Sequence, residues 1–101
     1  MKVVYAERAR RDIADIYDSI ARHNPAAAQR VENTIRALCQ GLADFPYAAA
    51  ATDEPGVRRI PLVRFPYTIF YRVDSTRRVV EIARVLHGAR VQDLGKMPGD
   101  G

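Results

Sequence analysis

The residues best suited to chemistry in this chain are arginines and one histidine, all in its C-terminal half. The candidates are Arg59, Arg64, Arg72, Arg84, His87 and Arg90. Histidine titrates near neutral pH and serves as an acid or a base, whereas arginine binds phosphate or carboxylate with two parallel hydrogen bonds. Two chemistries therefore suit these side chains: cleavage of a phosphodiester without a metal, or docking of an anionic partner.

The charge of the chain is concentrated in the same half. The 101 residues include 16 basic and 12 acidic ones, for a net charge of +4. Nine basic residues follow Gly56 against four acidic ones, while the segment before it carries seven and eight. This asymmetry favours an anionic partner, with an ordinary solvated basic surface as the alternative. The length indicates one domain, which we place at residues 1–96 with a flexible tail at 97–101.

Several classes of protein are disfavoured by composition. Cys39 is the single cysteine, so no internal disulfide is possible, and we interpret it as a small buried apolar group in a cytoplasmic protein. Two distant histidines and one cysteine do not make a zinc site, and no glycine-rich phosphate loop is present, so no metal or cofactor is expected. No apolar run approaches the roughly 20 residues of a membrane span, and the N-terminus becomes charged too early for a signal peptide.

Two helices are predicted from apolar spacing in the first half. The first carries its apolar face at Ala9, Ile13, Ile16, Tyr17 and Ile20. Asn24 and Pro25 end that helix and start the next, with Asn24 as the cap. The second helix has a seam at Ala28, Val31, Ile35, Leu38, Leu42 and Phe45 and ends at Pro46, so the pair forms an antiparallel hairpin.

Strands are predicted before and after the helices. Residues 2–5 form the first strand, residues 46–56 a loop, and residues 57–63, 67–73 and 78–86 three antiparallel strands. Pro61 places its strand at an edge or a bulge. Alternation puts Tyr67, Ile69, Tyr71 and Val73 on one face. The order β-α-α-β-β-β predicts a two-layer α+β domain, with an N-terminal strand and an antiparallel helical hairpin packed on an antiparallel β-sheet. The other sheet face is left for solvent or a partner.

Several strings along the chain resemble the RelE/ParE family of toxins from bacterial type II toxin–antitoxin systems, and its ParE branch more than its RelE branch. They are residues 9–16, 24–28, 45–46, 56–60, 65–72 and 85–90. The resemblance implies a small toxin neutralised by an antitoxin encoded beside it. ParE-like members inhibit DNA gyrase, whereas RelE-like members cut mRNA on the ribosome.

The resemblance also gives positions for the catalytic residues of the RelE-like nucleases. Arg59 retains the first basic position, but Pro61 and Thr68 occupy two further cationic positions, and no tyrosine or histidine follows Arg90. A single electrostatic contact to a transition state is worth about 2.7–4 kcal/mol, so the loss of two cations disfavours this mechanism. A nuclease with a different set would use Arg59, His87 and Arg90. Glu81, Arg84 and Tyr71 could accompany His87, but alternation places Glu81 and His87 on one face and Arg84 on the other.

We therefore expect a toxin that acts by binding, with DNA gyrase as its target. The six residues that open this section are the expected contacts with the target or the antitoxin. The resemblance implies a cognate antitoxin of ribbon-helix-helix or similar DNA-binding type, a toxin–antitoxin hetero-oligomer, and contact with DNA only through the antitoxin. An antitoxin segment would add a strand to an open sheet edge. The alternatives are a ribosome-dependent mRNA endonuclease and a toxin relic without activity.

Overall fold

The helical hairpin predicted from the sequence is present in the computed structural model, which describes residues 1–88. Helix α1 spans Glu7–Ala21 and helix α2 spans Pro25–Gly41. The side-chain oxygen of Asn24 accepts a hydrogen bond from the Ala27 amide at 3.0 Å, and Pro25 occupies the first helical position, so the predicted cap is confirmed. Arg90 and the tail at 97–101 lie outside the described residues.

Helix α2 ends four residues earlier than its apolar spacing predicts. After Gly41, the amides of Leu42, Ala43 and Asp44 bond to carbonyls three residues back, which tightens the chain into turns. Leu42 still reaches the core, but Phe45 is 69% exposed. The prediction of Phe45 as a seam residue is therefore wrong, because glycine is a weak helix former and the helical period stops there.

Five strands form one sheet in the order β1-β5-β4-β3-β2. The strands are β1 (Lys2–Tyr5), β2 (Ala50–Ala51), β3 (Val57–Pro61), β4 (Tyr67–Asp74) and β5 (Val79–His87). Strands β2 to β5 are antiparallel, and β1 joins β5 in parallel, so the sheet is mixed. Strand β2 lies in the segment predicted as a loop, because two extended alanines pair with Arg58 and Arg59 of β3. Strand β3 lies between β4 and β2 and is not the sheet edge, but β2 pairs only with Arg58 and Arg59, so the outer side of β3 has no strand partner at Pro61.

One side of the sheet packs against the helices and forms the main core. This core contains buried side chains from both helices, from β4 and β5, and from the segments that follow α2 and β3: Ala9, Ile13, Val31, Ile35, Cys39, Leu42, Leu62, Ile69, Tyr71, Val80, Ile82 and Val85. Ile69 and Tyr71 belong to it, with Tyr67 and Val73 packed at its margin, so the predicted face of β4 is confirmed. We call the opposite side of the sheet the open face.

A β-bulge interrupts the pairing of β4 with β5. Phe70 pairs with Arg84 and Tyr71 pairs with Ile82, which leaves Ala83 as an extra residue in β5. Ile82 and Val85 both enter the main core, although strict alternation places residues three apart on opposite faces.

A buried ion pair fixes this bulge to α1. The Asp12 carboxylate accepts hydrogen bonds from the Nε of Arg84 at 2.7 Å and from its Nη2 at 3.1 Å. The backbone amide of Val85 donates to the same carboxylate at 3.0 Å. Asp12 therefore joins the helical layer to the sheet at the point where the register changes.

We expect Asp12→Ala to lower the free energy of unfolding by about 3–5 kcal/mol, because removal of one partner leaves a buried charge without its counterion. Urea denaturation monitored by circular dichroism measures this loss. Asp15→Ala, on the exposed side of the same helix, is the matched control and should stay within about 0.5 kcal/mol of the wild type. A loss below about 1 kcal/mol for Asp12→Ala would contradict the assigned role.

Candidate functional site

The open face carries Arg59, Pro61 and Thr68, which stand at the positions of the catalytic residues of RelE-like nucleases. Cross-strand pairs on this face join Arg59 to Phe70, Pro61 to Thr68, and Val57 to Arg72. Its centre is apolar, because Val57, Phe70 and Ala83 form a second buried cluster against which Leu86 packs. The open face is therefore more than a solvent-exposed surface: it has a small core of its own.

Of the nuclease positions on this face, Arg59 keeps its charge, whereas Pro61 and Thr68 carry none. Arg59 is half-buried on β3, Pro61 is exposed beside it, and Thr68 is buried. Arg72 lies further along β4, cross-strand from Glu81 of β5, so a carboxylate shares its part of the surface. Within residues 1–88, the middle of the open face consists of the buried Val57, Phe70 and Ala83 and the buried Thr68, and Arg59 pairs with Phe70 beside them.

His87 lies at the end of β5 and is exposed. Its ring meets that of Tyr67 edge to face, with 5.5 Å between the ring centroids. The next residue, Gly88, adopts a φ of 75° and donates its amide to the Pro66 carbonyl at 2.6 Å, which ties the strand end to the β3–β4 connection. This arrangement gives His87 a packing contact of its own.

The expected grouping of Glu81 with His87 is wrong. Glu81 precedes the bulge and shares the open face with Arg72, whereas His87 follows the bulge and shares the side of Val85 and Tyr67. The extra residue reverses the alternation between the two positions. No acid–base pair of these two residues can therefore form across one face of β5.

Arg84 is 8% exposed and is buried in the interface between α1 and the sheet. Its place in that interface contradicts the expectation of an arginine displayed to a partner, because the guanidinium bonds to Asp12 inside the protein. Asp12 was not among the candidate residues predicted from the sequence, although a signal was available. Asp12 lies three residues after Ala9 and four before Ile16, so a charged residue stands on the apolar stripe of α1.

Arg58 faces away from Arg59, as alternation predicts, and supports an aromatic loop. Its Nη1 donates to the Ala49 carbonyl at 2.7 Å, and its guanidinium lies over the Tyr47 ring at 5.2 Å. The Tyr71 hydroxyl donates to the Pro46 carbonyl at 2.8 Å. The loop at 45–49 is thereby fixed to the sheet, and it presents Phe45 and Tyr47, which are 69% and 53% exposed. We call these two side chains the aromatic corner.

Arg64 is exposed in the connection between β3 and β4. It lines a groove of about 500 Å³ together with Arg30, Asn33, Thr34 and Phe65. Of the six expected contact residues, the structure thus places Arg59 and Arg72 on the open face, Arg64 at this groove, His87 at a strand end and Arg84 in the interior.

Cys39 belongs to α2 and is buried in the core beside Tyr5 and Arg36. Burial raises the pKa of the Cys39 thiol to about 11 and that of the Tyr5 hydroxyl to about 12. The guanidinium of Arg36 lies 5.3 Å from the centroid of the Tyr5 ring. The prediction of Cys39 as a buried apolar group is confirmed, since a thiol that keeps its proton is a poor nucleophile.

Metal and membrane sites are not found in the part of the chain that the structure describes. Among residues 1–88, no three histidine, cysteine, aspartate or glutamate side chains are grouped so as to hold a metal ion. Neither helix in this part is long and apolar enough to cross a membrane.

Comparison with known proteins identifies the family of this chain. Residues 3–92 match the family described as the ParE toxin of the type II toxin–antitoxin system. The chain belongs to the ParE toxin family. The match covers both helices and all five strands, so the whole described fold is the family's domain.

Two relatives of this ParE-family chain are named as toxins. The toxin RelE2 of Caulobacter vibrioides is 34% identical over 90 residues, which are 89% of this chain and 98% of the relative. The putative toxin Y4kP of Sinorhizobium fredii is 31% identical over 86 residues, which are 85% of this chain and 86% of the relative.

Solved structures share the fold of this ParE-family domain. A chain from the chromosomal ParDE toxin–antitoxin system of Pseudomonas aeruginosa superposes with a TM-score of 0.77 at 24% identity, covering 88% of this chain and 97% of the other. A double-arginine mutant of the Escherichia coli toxin RelE in the free state gives 0.68 at 15% identity, with coverages of 94% and 90%. Both the ParE and RelE groups therefore build the same α+β architecture.

We expect the Cys39 thiol to resist alkylation by iodoacetamide at pH 8 in the folded protein and to react after denaturation in guanidinium, because burial keeps it protonated and inaccessible. Mass spectrometry after a timed quench measures the fraction alkylated.

The raised pKa of the Cys39 thiol also affects stability, because the unfolded thiol, with a pKa of 9.0, loses its proton at a lower pH than the folded one. The free energy of unfolding should therefore fall as the pH rises from 9 towards 11. Rapid alkylation of the folded chain at pH 8 would contradict this burial.

We expect His87→Ala to lower the free energy of unfolding by about 0.5–1.5 kcal/mol, the usual value of an aromatic pair, and to leave toxicity intact. His87→Phe is the matched control, because it keeps a ring against Tyr67 and removes the titratable group. Growth after induction in cells without antitoxin measures toxicity. Loss of toxicity in both variants at unchanged stability would instead identify His87 as a catalytic group.

Proposed function

We propose that this ParE-family toxin acts by binding a protein target and that the target is DNA gyrase. The observation that carries the proposal is the pair of Pro61 and Thr68, which stand uncharged at positions where the RelE-like nucleases place cations. Beside them Phe70 is buried with Val57 and Ala83 in a cluster against which Leu86 packs. The comparison supports the ParE branch, whose members inhibit gyrase.

The residues of this face do not provide the groups that cleavage of RNA requires. A metal-free nuclease needs a base for the 2′-hydroxyl, cations for the charge on the transition state, and an acid for the leaving oxygen. His87 is separated from Glu81 by the reversal of alternation at the bulge, and Arg84 is paired with Asp12. The groups that would have to cooperate are thus spread over two sides of the sheet and the interior.

The aromatic corner suits a binding function. Exposed aromatic side chains on a fixed support contribute much of the affinity of protein interfaces, since little conformational entropy is lost when they bind. Arg58 and Tyr71 hold the loop that carries Phe45 and Tyr47. We assign these two side chains to the contact with the target, and we propose the cytoplasm as the place of the toxin's action.

An antitoxin is the second partner that we propose. Structures of related fold come from toxin–antitoxin complexes, among them one of RelBE2 from Mycobacterium tuberculosis with a TM-score of 0.60 at 22% identity. Strand β2 ends the sheet with two exposed residues, so its outer edge offers backbone groups to an added strand. Neutralisation would then proceed through a toxin–antitoxin hetero-oligomer in which the antitoxin makes any contact with DNA.

A supercoiling assay with purified gyrase tests the proposal. We expect the toxin to block ATP-dependent supercoiling of relaxed plasmid, and Tyr47→Ala to raise the concentration for half-inhibition about tenfold or more, as for an interface anchor worth over 1 kcal/mol. Val63→Ser is the matched control, because Val63 is also exposed, at 98%, but lies outside the aromatic corner.

Ribosome-dependent cleavage is measured in parallel with the same preparations. A translation reaction programmed with a defined mRNA is followed by primer extension, and we expect no toxin-dependent cut. Cleaved mRNA together with unimpaired supercoiling at excess toxin would refute the proposal in favour of the endonuclease. Inactivity in both assays and in cells would instead identify a relic.

A further inference from the structure

The groove beside Arg64 is a surface that the gyrase proposal does not use. It lies between α2 and the connection of β3 to β4, and its volume is about 500 Å³. Arg30, Asn33 and Thr34 line it from the helix, and Arg64 and Phe65 line it from the connection. One wall is therefore a rigid helix, and the other is anchored because Phe65 packs against the main core.

The groove has an unbalanced positive charge. Neither Arg30 nor Arg64 forms an ion pair with any residue of the described part of the chain, and no carboxylate lines the groove there. Arg11, Arg36 and Arg84, in contrast, each have an acidic partner within the protein. Two guanidinium groups on opposite walls of one groove form a site complementary to carboxylates.

Apolar groups accompany these charges. Phe65 is half-buried in the wall, and Val63, one residue before Arg64, is 98% exposed. An exposed aliphatic side chain does nothing for a phosphate backbone, but it completes an amphipathic surface for a polypeptide. A nucleic acid would also require a longer track of cations than two arginines provide. The chemistry of the groove therefore favours an acidic, partly apolar polypeptide.

We propose that this groove binds an acidic segment of the antitoxin, with carboxylates on Arg30 and Arg64 and an apolar side chain against Phe65. The choice of the antitoxin as occupant rests on the proposed toxin function. Arg30 lies in the second turn of α2, whose C-terminal end at Gly41 is about 17 Å further along the helix axis, and Phe45 follows that end. The groove is therefore distinct from the aromatic corner, and each can be altered without the other.

Calorimetric titration with the full-length antitoxin encoded beside the gene tests this site. We expect Arg30→Glu combined with Arg64→Glu to weaken binding about tenfold or more at low salt, and by less at high salt, because screening reduces charge repulsion. Arg8→Glu combined with Arg10→Glu on exposed α1 positions is the matched control with the same change in net charge. Arg30→Lys combined with Arg64→Lys should retain most of the affinity. Circular dichroism verifies that each variant is folded.

Each outcome has a defined meaning. Unchanged affinity in the groove variant, or an equal loss in both glutamate variants, would overturn the proposal. Loss of binding to a 20-nucleotide single-stranded RNA with unchanged antitoxin affinity would overturn it in favour of a nucleic-acid surface. Inhibition of gyrase by the free groove variant should equal that of the wild type. If wild-type toxin fails to inhibit gyrase while the groove variant still loses antitoxin, the target assignment fails and the groove assignment stands.

Discussion

The contact between Asp12 and Arg84 is the interaction on which the arrangement of the two layers depends. One carboxylate holds a guanidinium through two hydrogen bonds and also accepts the amide of Val85. These bonds fix α1 at the bulge, where β5 changes its register against β4. The bulge in turn lets Ile82 and Val85 share the main core and reverses the side on which later residues lie. The side of the sheet on which His87 lies follows from the bulge that this contact fixes.

Much of the fold follows from local patterns in the sequence. The apolar period of the helices, the cap formed by Asn24 and Pro25, and the alternation along β4 depend on residues a few positions apart. Pro61 marks a break in strand pairing because its ring lacks an amide hydrogen, which is again a local property. Such features can be predicted from the sequence because the interactions that stabilise them involve residues a few positions apart.

Most of the features that were missed depend on distant residues. Asp12 and Arg84 are 72 positions apart, so local spacing does not identify Arg84 as the partner of the charge on the apolar stripe of α1. The bulge and the pairing of β2 likewise depend on contacts between strands, whereas the end of α2 at Gly41 follows from a local property of glycine. For the site, the sequence alone shows that Pro61 and Thr68 carry no charge, but the separation of Glu81 from His87 required the register of β5.

The parallel pairing of β1 with β5 determines when the sheet can fold during translation. The first strand made finds its neighbour only in the last described strand, which lies between β1 and β4 in the sheet. Asp12 must likewise wait for Arg84, so the nascent helices have no complete sheet to pack on. Contacts between distant parts of a chain also form slowly, because loop closure precedes them. Assembly of the complete sheet is thus reserved for chains translated through β5, and prematurely terminated products lack the strand that joins β1 to β4.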